Sequence, residues 1–337
     1  MSETLEQHLE GGWKLLESGD LAGARKAAEA ARVLDENAPE PYVLLGAAAS
    51  AGGETADAKT AFARAMKLDP EYFEPIFLAA EVAAAEGELE DALALADRAL
   101  DVAEEEEEWL DTLLLKAELE LGLEDPDAAA ETLAELPPVD LPDASFHVRA
   151  GGCLLELDDL DAAERHFTAA VRLDPDAADG YHGLGLTAEA QGEEKQMITH
   201  FQKVRELDLK APQSPWTFTM EQLEKCVDAA LGELPERART LLGNVPVLVE
   251  EYPGKELIDD GLDPRLLGLF TGTPYPEQSN VSGLPPHLEH VLLFKRNLER
   301  DARTADEIAE EIRITLLHET GHFFGMDEED LEEAGLE

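Results

Sequence analysis

Basic residues are scarce in this chain. Of its 337 residues, 26 are Lys or Arg and 76 are Asp or Glu, which gives a formal net charge of −50. A surface this negative repels the phosphates of nucleic acids and of anionic membranes. We therefore exclude nucleic acids and membrane surfaces as partners and expect basic proteins or peptides instead. Because the acidity spreads along the whole chain, adaptation to high intracellular salt stays open as an alternative origin.

Cysteine, aromatic residues and long apolar runs are also few. The two cysteines, Cys153 and Cys226, lie far apart in the sequence, so we expect no structural disulfide and a reducing compartment. The only charged side chains among the first six residues are acidic, and this segment lacks the basic and apolar regions of a signal peptide. No run reaches the apolar length that spans a bilayer. These absences predict a cytoplasmic protein with a core of Ala and Leu.

A recurrence with a period of 34 residues occupies about the first two hundred positions. The motif Gly19–Ala24 returns as Gly53–Ala58 and Gly87–Ala92, resumes as Asp158–Ala163, and returns more weakly as Gly192–Met197. The gap of 71 residues between Ala92 and Ala163 fits one ordinary repeat plus one enlarged by three residues, with Ala129 at the equivalent place. A fixed period of this length predicts a repeat architecture.

Each repeat shows the same pattern of residue types. Its first helix carries an aromatic or apolar residue and then a small one, and its second helix alternates small and bulky residues, as in Ala58, Phe62 and Ala65. Small residues let paired helices approach, while Phe fills the gap to the next repeat. Leu-Asp-Pro closes several repeats because proline stops a helix.

These residues resemble the tetratricopeptide repeat family, with about six units over residues 5–210. The resemblance implies an all-α superhelix whose concave face binds a protein or peptide partner. The charges on that face do not identify the binding residues. The histidines of this region show no grouping typical of metal ligands, and we expect them at solvated helix positions; they are His8, His147, His166, His182 and His200.

A linker is predicted at residues 211–217, because Pro212 and Pro215 break the helical pattern. The composition beyond it predicts a small α+β domain over residues 218–337. We expect a helix over Thr219–Leu231 and three strands, the first an edge strand because it contains Pro246. The strands are Val245–Val249, Leu266–Phe270 and His290–Lys295.

A final helix is predicted to begin with a capping box of Thr304 and Glu307. Its apolar face would fix the histidines that follow; it consists of Ile308, Ile312, Leu316 and Leu317.

The segment that follows that face is His318-Glu319-Thr320-Gly321-His322. Two histidines four residues apart on a helix lie about 40° apart around the axis, so both imidazoles can bind one ion. Zn²⁺ favours such nitrogen ligands, and the arrangement is that of zinc peptidases, with Glu319 as general base. Gly325 is suited to end the helix, and the carboxylates after it are candidates for a third ligand: Asp327, Glu328 and Glu329.

Residues 218–337 resemble the small zincin-like metallopeptidases of bacteria. The likeness includes the opening helix, Leu234-Pro235, the segment Leu267–Gly272, Leu284-Pro285 and the final His-Glu-x-x-His-x-Phe-Gly. It implies Zn²⁺ held by His318, His322 and an acidic residue after the glycine turn. The ten-residue offset from His318 falls on Glu328, and Asp327 is the alternative. Many longer zinc peptidases have a third histidine there and a later methionine turn, which this sequence lacks.

Two functions follow from these features. The first is a zinc metallopeptidase that hydrolyses peptide bonds, in which Glu319 takes a proton from zinc-bound water and passes it to the leaving amine. The repeat array would recruit the substrate, and the third strand would offer its edge to it. Tyr275 and His290 are possible oxyanion donors that nothing in the sequence requires.

The second is a non-catalytic interaction scaffold with a structural or vestigial metal site. A fourth protein ligand would favour it, and His287 and His290 are the nearby candidates. Glu319 favours the enzyme, because only chemistry needs that carboxylate.

Overall fold

The computed structural model describes residues 4–137, 141–210, 217–234, 236, 240, 245–259, 262–272, 290–300 and 305–327. Contacts within the chain divide it into two compact units, Met1–Gly192 and Glu193–Glu337. None of the described helices is long and apolar enough to cross a membrane.

The N-terminal unit consists of helical hairpins. Its helices are α1 (Leu5–Glu17), α2 (Leu21–Leu34), α3 (Glu40–Ala51), α4 (Thr55–Leu68), α5 (Phe73–Ala85), α6 (Leu89–Val102), α7 (Glu106–Gly122), α8 (Pro126–Leu133), α9 (Ala144–Glu156), α10 (Leu160–Leu173) and α11 (Ala178–Ala190).

The turns inside the hairpins confirm the period and the enlarged repeat. A residue with φ between 59° and 82° stands at each turn: Gly19, Gly53, Gly87, Glu124, Asp158 and Gly192. The spacing is 34 residues everywhere except between Gly87 and Glu124, where it is 37. Glycine adopts this left-handed conformation at no steric cost. At two of the turns an acidic residue adopts it instead, Glu124 at one and Asp158 at the other.

Small residues bring the helices of a hairpin together as the sequence predicts. Ala58, Phe62 and Ala65 are fully buried. A Cβ at Gly46 would lie 2.4 Å from the Phe62 ring, so this position of α3 admits only glycine while the ring stays in place.

Two of the few cations join neighbouring repeats at equivalent positions. Arg25 pairs with Glu54 at 2.8 Å, and Lys59 pairs with Glu88 at 2.5 Å. Both pairs span 29 residues, so one contact recurs at the repeat period.

The expectation of solvated histidines is wrong for two of the five. His147 on α9 and His166 on α10 are 1% and 7% exposed, and their Nδ1 atoms lie 3.1 Å apart. The α9–α10 hairpin buries both rings against each other. Burial, together with the nearby His147 and Arg165, lowers the pKa of His166 to about 4.

The C-terminal unit contains a small mixed sheet and helices. In order these are α12 (Glu194–Asp208), α13 (Met220–Glu233), β1 (Val247–Glu250), α14 (Lys255–Asp259), β2 (Gly268–Thr271), β3 (His290–Phe294), α15 (Lys295–Arg300) and α16 (Ala305–Phe323).

The described strands have the order β1-β3-β2, with β1 parallel and β2 antiparallel to β3. Among the described strands β1 lies at an edge of the sheet, as predicted. The prediction that the third strand offers its edge to a substrate is wrong, because β3 is paired on both sides. The predicted capping box of Thr304 and Glu307 includes Thr304, which lies outside the described residues.

Helix α12 makes several side-chain contacts inside the C-terminal unit. The guanidinium of Arg265 lies 4.5 Å from the centre of the Phe201 ring. The Asp208 carboxylate accepts hydrogen bonds from the Tyr252 hydroxyl at 3.0 Å and from Arg300 at 2.6 Å. The last helix of the repeat pattern is therefore part of this unit, and the predicted linker at 211–217 lies almost wholly outside the described residues.

Candidate functional site

Helix α16 is anchored by its apolar face before it reaches the candidate site. Ile308, Ile312 and Leu316 are at most 1% exposed and recur every four residues, so they form one stripe along the helix. They belong to a cluster with residues of α13 and β3, among them Leu223 and Leu293. This packing, which the sequence predicts, fixes the position of the turn that follows.

His318 and His322 stand side by side at the end of this helix. Their Nε2 atoms lie 3.0 Å apart, and their ring planes are inclined at 80°. Two nitrogens on one tetrahedral Zn²⁺, each at about 2.0–2.1 Å, lie roughly 3.3 Å apart. The two imidazoles therefore fit a shared zinc ion with little movement.

The end of α16 sets the orientation of His322. Gly325 has φ +80°, its amide donates to the carbonyl of His322, and the Met326 amide donates to the carbonyl of Gly321. This is a Schellman motif, which reverses the chain. The reversal brings the Met326 carbonyl 3.2 Å from Nδ1 of His322. A proton on Nδ1 satisfies that carbonyl and leaves the lone pair of Nε2 for a metal.

Glu319 lies beside the histidine pair, against the sheet. It is 7% exposed, and one carboxylate oxygen accepts a hydrogen bond from the Phe270 amide of β2 at 2.6 Å. A main-chain donor on a strand holds the carboxylate more rigidly than a flexible side chain would. The arrangement places two nitrogen ligands for a metal beside one fixed carboxylate that could act as a base, a combination that suits metal-assisted hydrolysis.

The third ligand is not decided by these residues. Asp327 is exposed on the chain just after the turn, and Glu328, the first choice from the sequence, lies outside the described residues. Within the described ranges no group of three His, Cys, Asp or Glu side chains is arranged to hold a metal. Glu328 and Asp327 therefore stay as predictions.

The other candidates have the following positions. His290 is the first residue of β3, and its Nδ1 lies 2.9 Å from the Thr271 hydroxyl of β2, so its ring is engaged in the sheet. Tyr275 and His287 lie outside the described residues. The roles of these three as oxyanion donors or as a closing ligand are untested.

Sequence reasoning missed the main-chain groups that support the site. The Phe270 amide and the Met326 carbonyl carry no signal in residue type. A glycine inside a strand pattern, Gly268, is the one available sign that another part of the chain approaches β2 closely.

Comparison with family models matches two separate parts of the chain. Residues 43–106, 114–178 and 154–203 match the tetratricopeptide repeat family model, and residues 242–336 match the zincin-like metallopeptidase model. The chain therefore contains one part that matches a tetratricopeptide repeat array and another that matches a zincin-like metallopeptidase domain.

Several solved structures share the fold of the array. PilF of Pseudomonas aeruginosa is 12% identical over 60% of this chain and 91% of its own, with a TM-score of 0.52. A chain of the APC/C hetero-tetramer Cut9–Hcn1 is 15% identical over 62% of this chain and 41% of its own, with a TM-score of 0.51. At such identities the likeness shows the fold alone. The search of curated proteins found no match.

Proposed function

We propose that this protein is a zinc-dependent metallopeptidase whose repeat array recruits a protein or peptide substrate. The observation that carries the proposal is the pairing of His318 and His322 at 3.0 Å beside a buried, strand-bound Glu319. The match to the zincin-like family supports the reaction class.

We expect each residue of the site to have a separate role. His318 and His322, with Glu328 or Asp327, would hold a zinc ion, which supplies Lewis-acid activation of water and of the scissile carbonyl. Glu319 would accept a proton from the attacking water and deliver it to the leaving amine. The Met326 carbonyl would keep the Nδ1 proton of His322 in place.

The experiment compares the parent protein with Glu319→Gln. We expect zinc affinity to stay unchanged, because Glu319 is not a ligand, and hydrolysis of protein substrates to fall about 10²–10⁴-fold. Equal cleavage by the two proteins would overturn the assignment. A scaffold with a structural metal would show no hydrolysis in either protein and would lose the fold of its C-terminal unit on zinc removal.

The partner is proposed to be basic, because the first helices of successive repeats share an acidic face. Helices α3, α5, α7 and α9 pack side by side in sequence. Arg149 of α9 bonds Glu118 at 2.7 Å and Asp111 at 2.9 Å. Partial desolvation of this face raises the pKa of Asp111 and of the neighbouring Glu81, although Arg149 opposes the rise.

Further carboxylates crowd the same face towards its other end. The pKa of Glu74 on α5 is raised by partial desolvation and then by the charges of Glu108 and Glu105. Lys or Arg side chains of a bound peptide would relieve this repulsion.

A charge reversal tests the face. Glu81→Lys should weaken binding of Lys- and Arg-rich peptides and reduce its salt dependence. Asp57→Lys, an equal change of charge at an exposed position on α4, is the control. Equal effects of both changes would show that net charge, and not this face, attracts the peptide.

A further inference from the structure

Gly268 lies where β2 approaches α16 closely. A Cβ at this position would lie 2.7 Å from Cγ2 of Thr315, 2.9 Å from Cγ of Glu319 and 3.2 Å from its Oε1. Real Cβ atoms do not make contacts this short, so only glycine lets the strand lie against this turn of the helix. Glu319 is therefore packed directly on the backbone of β2.

The register of the sheet explains why the Phe270 amide is available to Glu319. The Phe294 amide donates to the Leu267 carbonyl at 2.8 Å, which makes those two residues a hydrogen-bonded pair. In an antiparallel ladder such pairs alternate, so the amides of Leu269 and Thr271 face β3 and that of Phe270 faces away. The outward amide of Phe270 is the one that meets the carboxylate of Glu319 at 2.6 Å.

The residues on both sides of that contact are themselves fixed. The Thr271 hydroxyl donates to the His290 carbonyl at 3.2 Å and lies 2.9 Å from its Nδ1. The Phe270 ring packs edge-on against Phe323 of α16, with 5.7 Å between ring centres, and Phe323 is 1% exposed. Thr271 thus ties β2 to β3, and Phe270 packs β2 against α16.

We propose that Gly268 and the Phe270 amide are positioning groups for Glu319. The glycine admits the side chain to the strand, and the amide fixes the direction of its carboxylate. The catalytic value of this arrangement rests on the proposed function, whereas the arrangement itself is measurable without turnover.

The test is Gly268→Ala in the full chain, read first by amide hydrogen exchange. We expect exchange at Phe270 to accelerate roughly tenfold or more, because its acceptor is displaced, while Leu269 and Thr271 keep their rates as internal controls. Gly254→Ala is the matched variant, since a Cβ there meets nothing within 4 Å. Glu319→Ala gives the exchange rate of a Phe270 amide without this acceptor.

The rate of hydrolysis of a protein substrate is the second measurement. With zinc content unchanged, kcat should fall about 10²-fold in Gly268→Ala and KM should not change, because a misplaced base affects only the chemical step. If Gly268→Ala fails to fold, Gly268→Ala/Thr315→Ser removes the contact with Cγ2 and keeps the one with Glu319.

The outcomes separate the two proposals. An unchanged exchange rate at Phe270, or an unchanged kcat in an active parent protein, overturns the positioning role. Faster exchange at Phe270 in a protein that hydrolyses nothing leaves the positioning role in place and refutes the proposed function.

Discussion

Replacement of Gly325 by alanine is expected to weaken zinc binding although it changes none of the proposed metal ligands. Gly325 adopts φ +80° at the end of α16, a conformation that costs a residue with a Cβ roughly 1–2 kcal/mol. Relief of that strain would open the turn and move the Met326 carbonyl away from Nδ1 of His322, from which it is now 3.2 Å.

The size of the effect follows from the kind of contact that is lost. Partners that orient a histidine ligand are worth about 10–100-fold in metal affinity. Gly192→Ala provides a matched control, because Gly192 ends α11 with φ +75° and has open space around it. Both variants should lose similar stability in their own units, while only Gly325→Ala should bind zinc at least tenfold more weakly.

The assay is competition with a chromophoric zinc chelator, with thermal unfolding of each variant in parallel. Gly325→Asn should bind zinc nearly as the parent does, since asparagine tolerates the left-handed conformation. Equal zinc affinity in Gly325→Ala and Gly192→Ala would refute the reasoning, because the Met326 carbonyl would then have no influence on His322.

Two further predictions concern stability. The folded-state pKa of His166, about 4, lies below its ordinary 6.5, so its contribution is present above pH 6.5 and is lost as the pH falls towards 4. Between pH 7 and pH 5 the loss is about 2 kcal/mol. Urea unfolding at both pH values should show that loss in the parent and not in His166→Gln; equal losses would contradict it. Asp208→Ala should destabilise the C-terminal unit by about 1–3 kcal/mol, since it leaves Arg300 and Tyr252 without this acceptor. Glu206→Ala, at an exposed site of α12, should not destabilise this unit. If calorimetry finds equal stability losses in Asp208→Ala and Glu206→Ala, the conclusion that α12 is part of the C-terminal unit is wrong.

The repeat array was predictable because the same pattern of small and bulky residues recurs several times in the sequence. Small residues at a fixed spacing, such as Ala58 and Ala129, mark where helices touch, and the spacing alone locates the three-residue enlargement. Single positions were less predictable. His147 and His166 look like polar surface residues because nothing in their own helices shows that α9 and α10 bring them face to face.

In the C-terminal unit the pairing of the two histidines was predictable and the strand order was not. The helical spacing of His318 and His322 predicts that they meet, and the apolar stripe before them predicts that the helix is anchored. Strand order is not contained in local sequence, which is why the predicted free edge on β3 was wrong. The edge nearest the site belongs instead to β2, whose Phe270 amide is already bonded to Glu319.

The burial of Glu319 distinguishes the two functions on energetic grounds. A carboxylate that is 7% exposed has lost most of its hydration, and hydrogen bonds restore only part of that free energy. A domain that served only as a scaffold would be more stable with an apolar side chain at this position, packed against Gly268 and Thr315. The unit instead keeps a carboxyl group there, and Gly268 has no side chain that would collide with it. Such a cost is typical of catalytic sites, where stability is exchanged for a positioned reactive group, so we favour the peptidase over the scaffold.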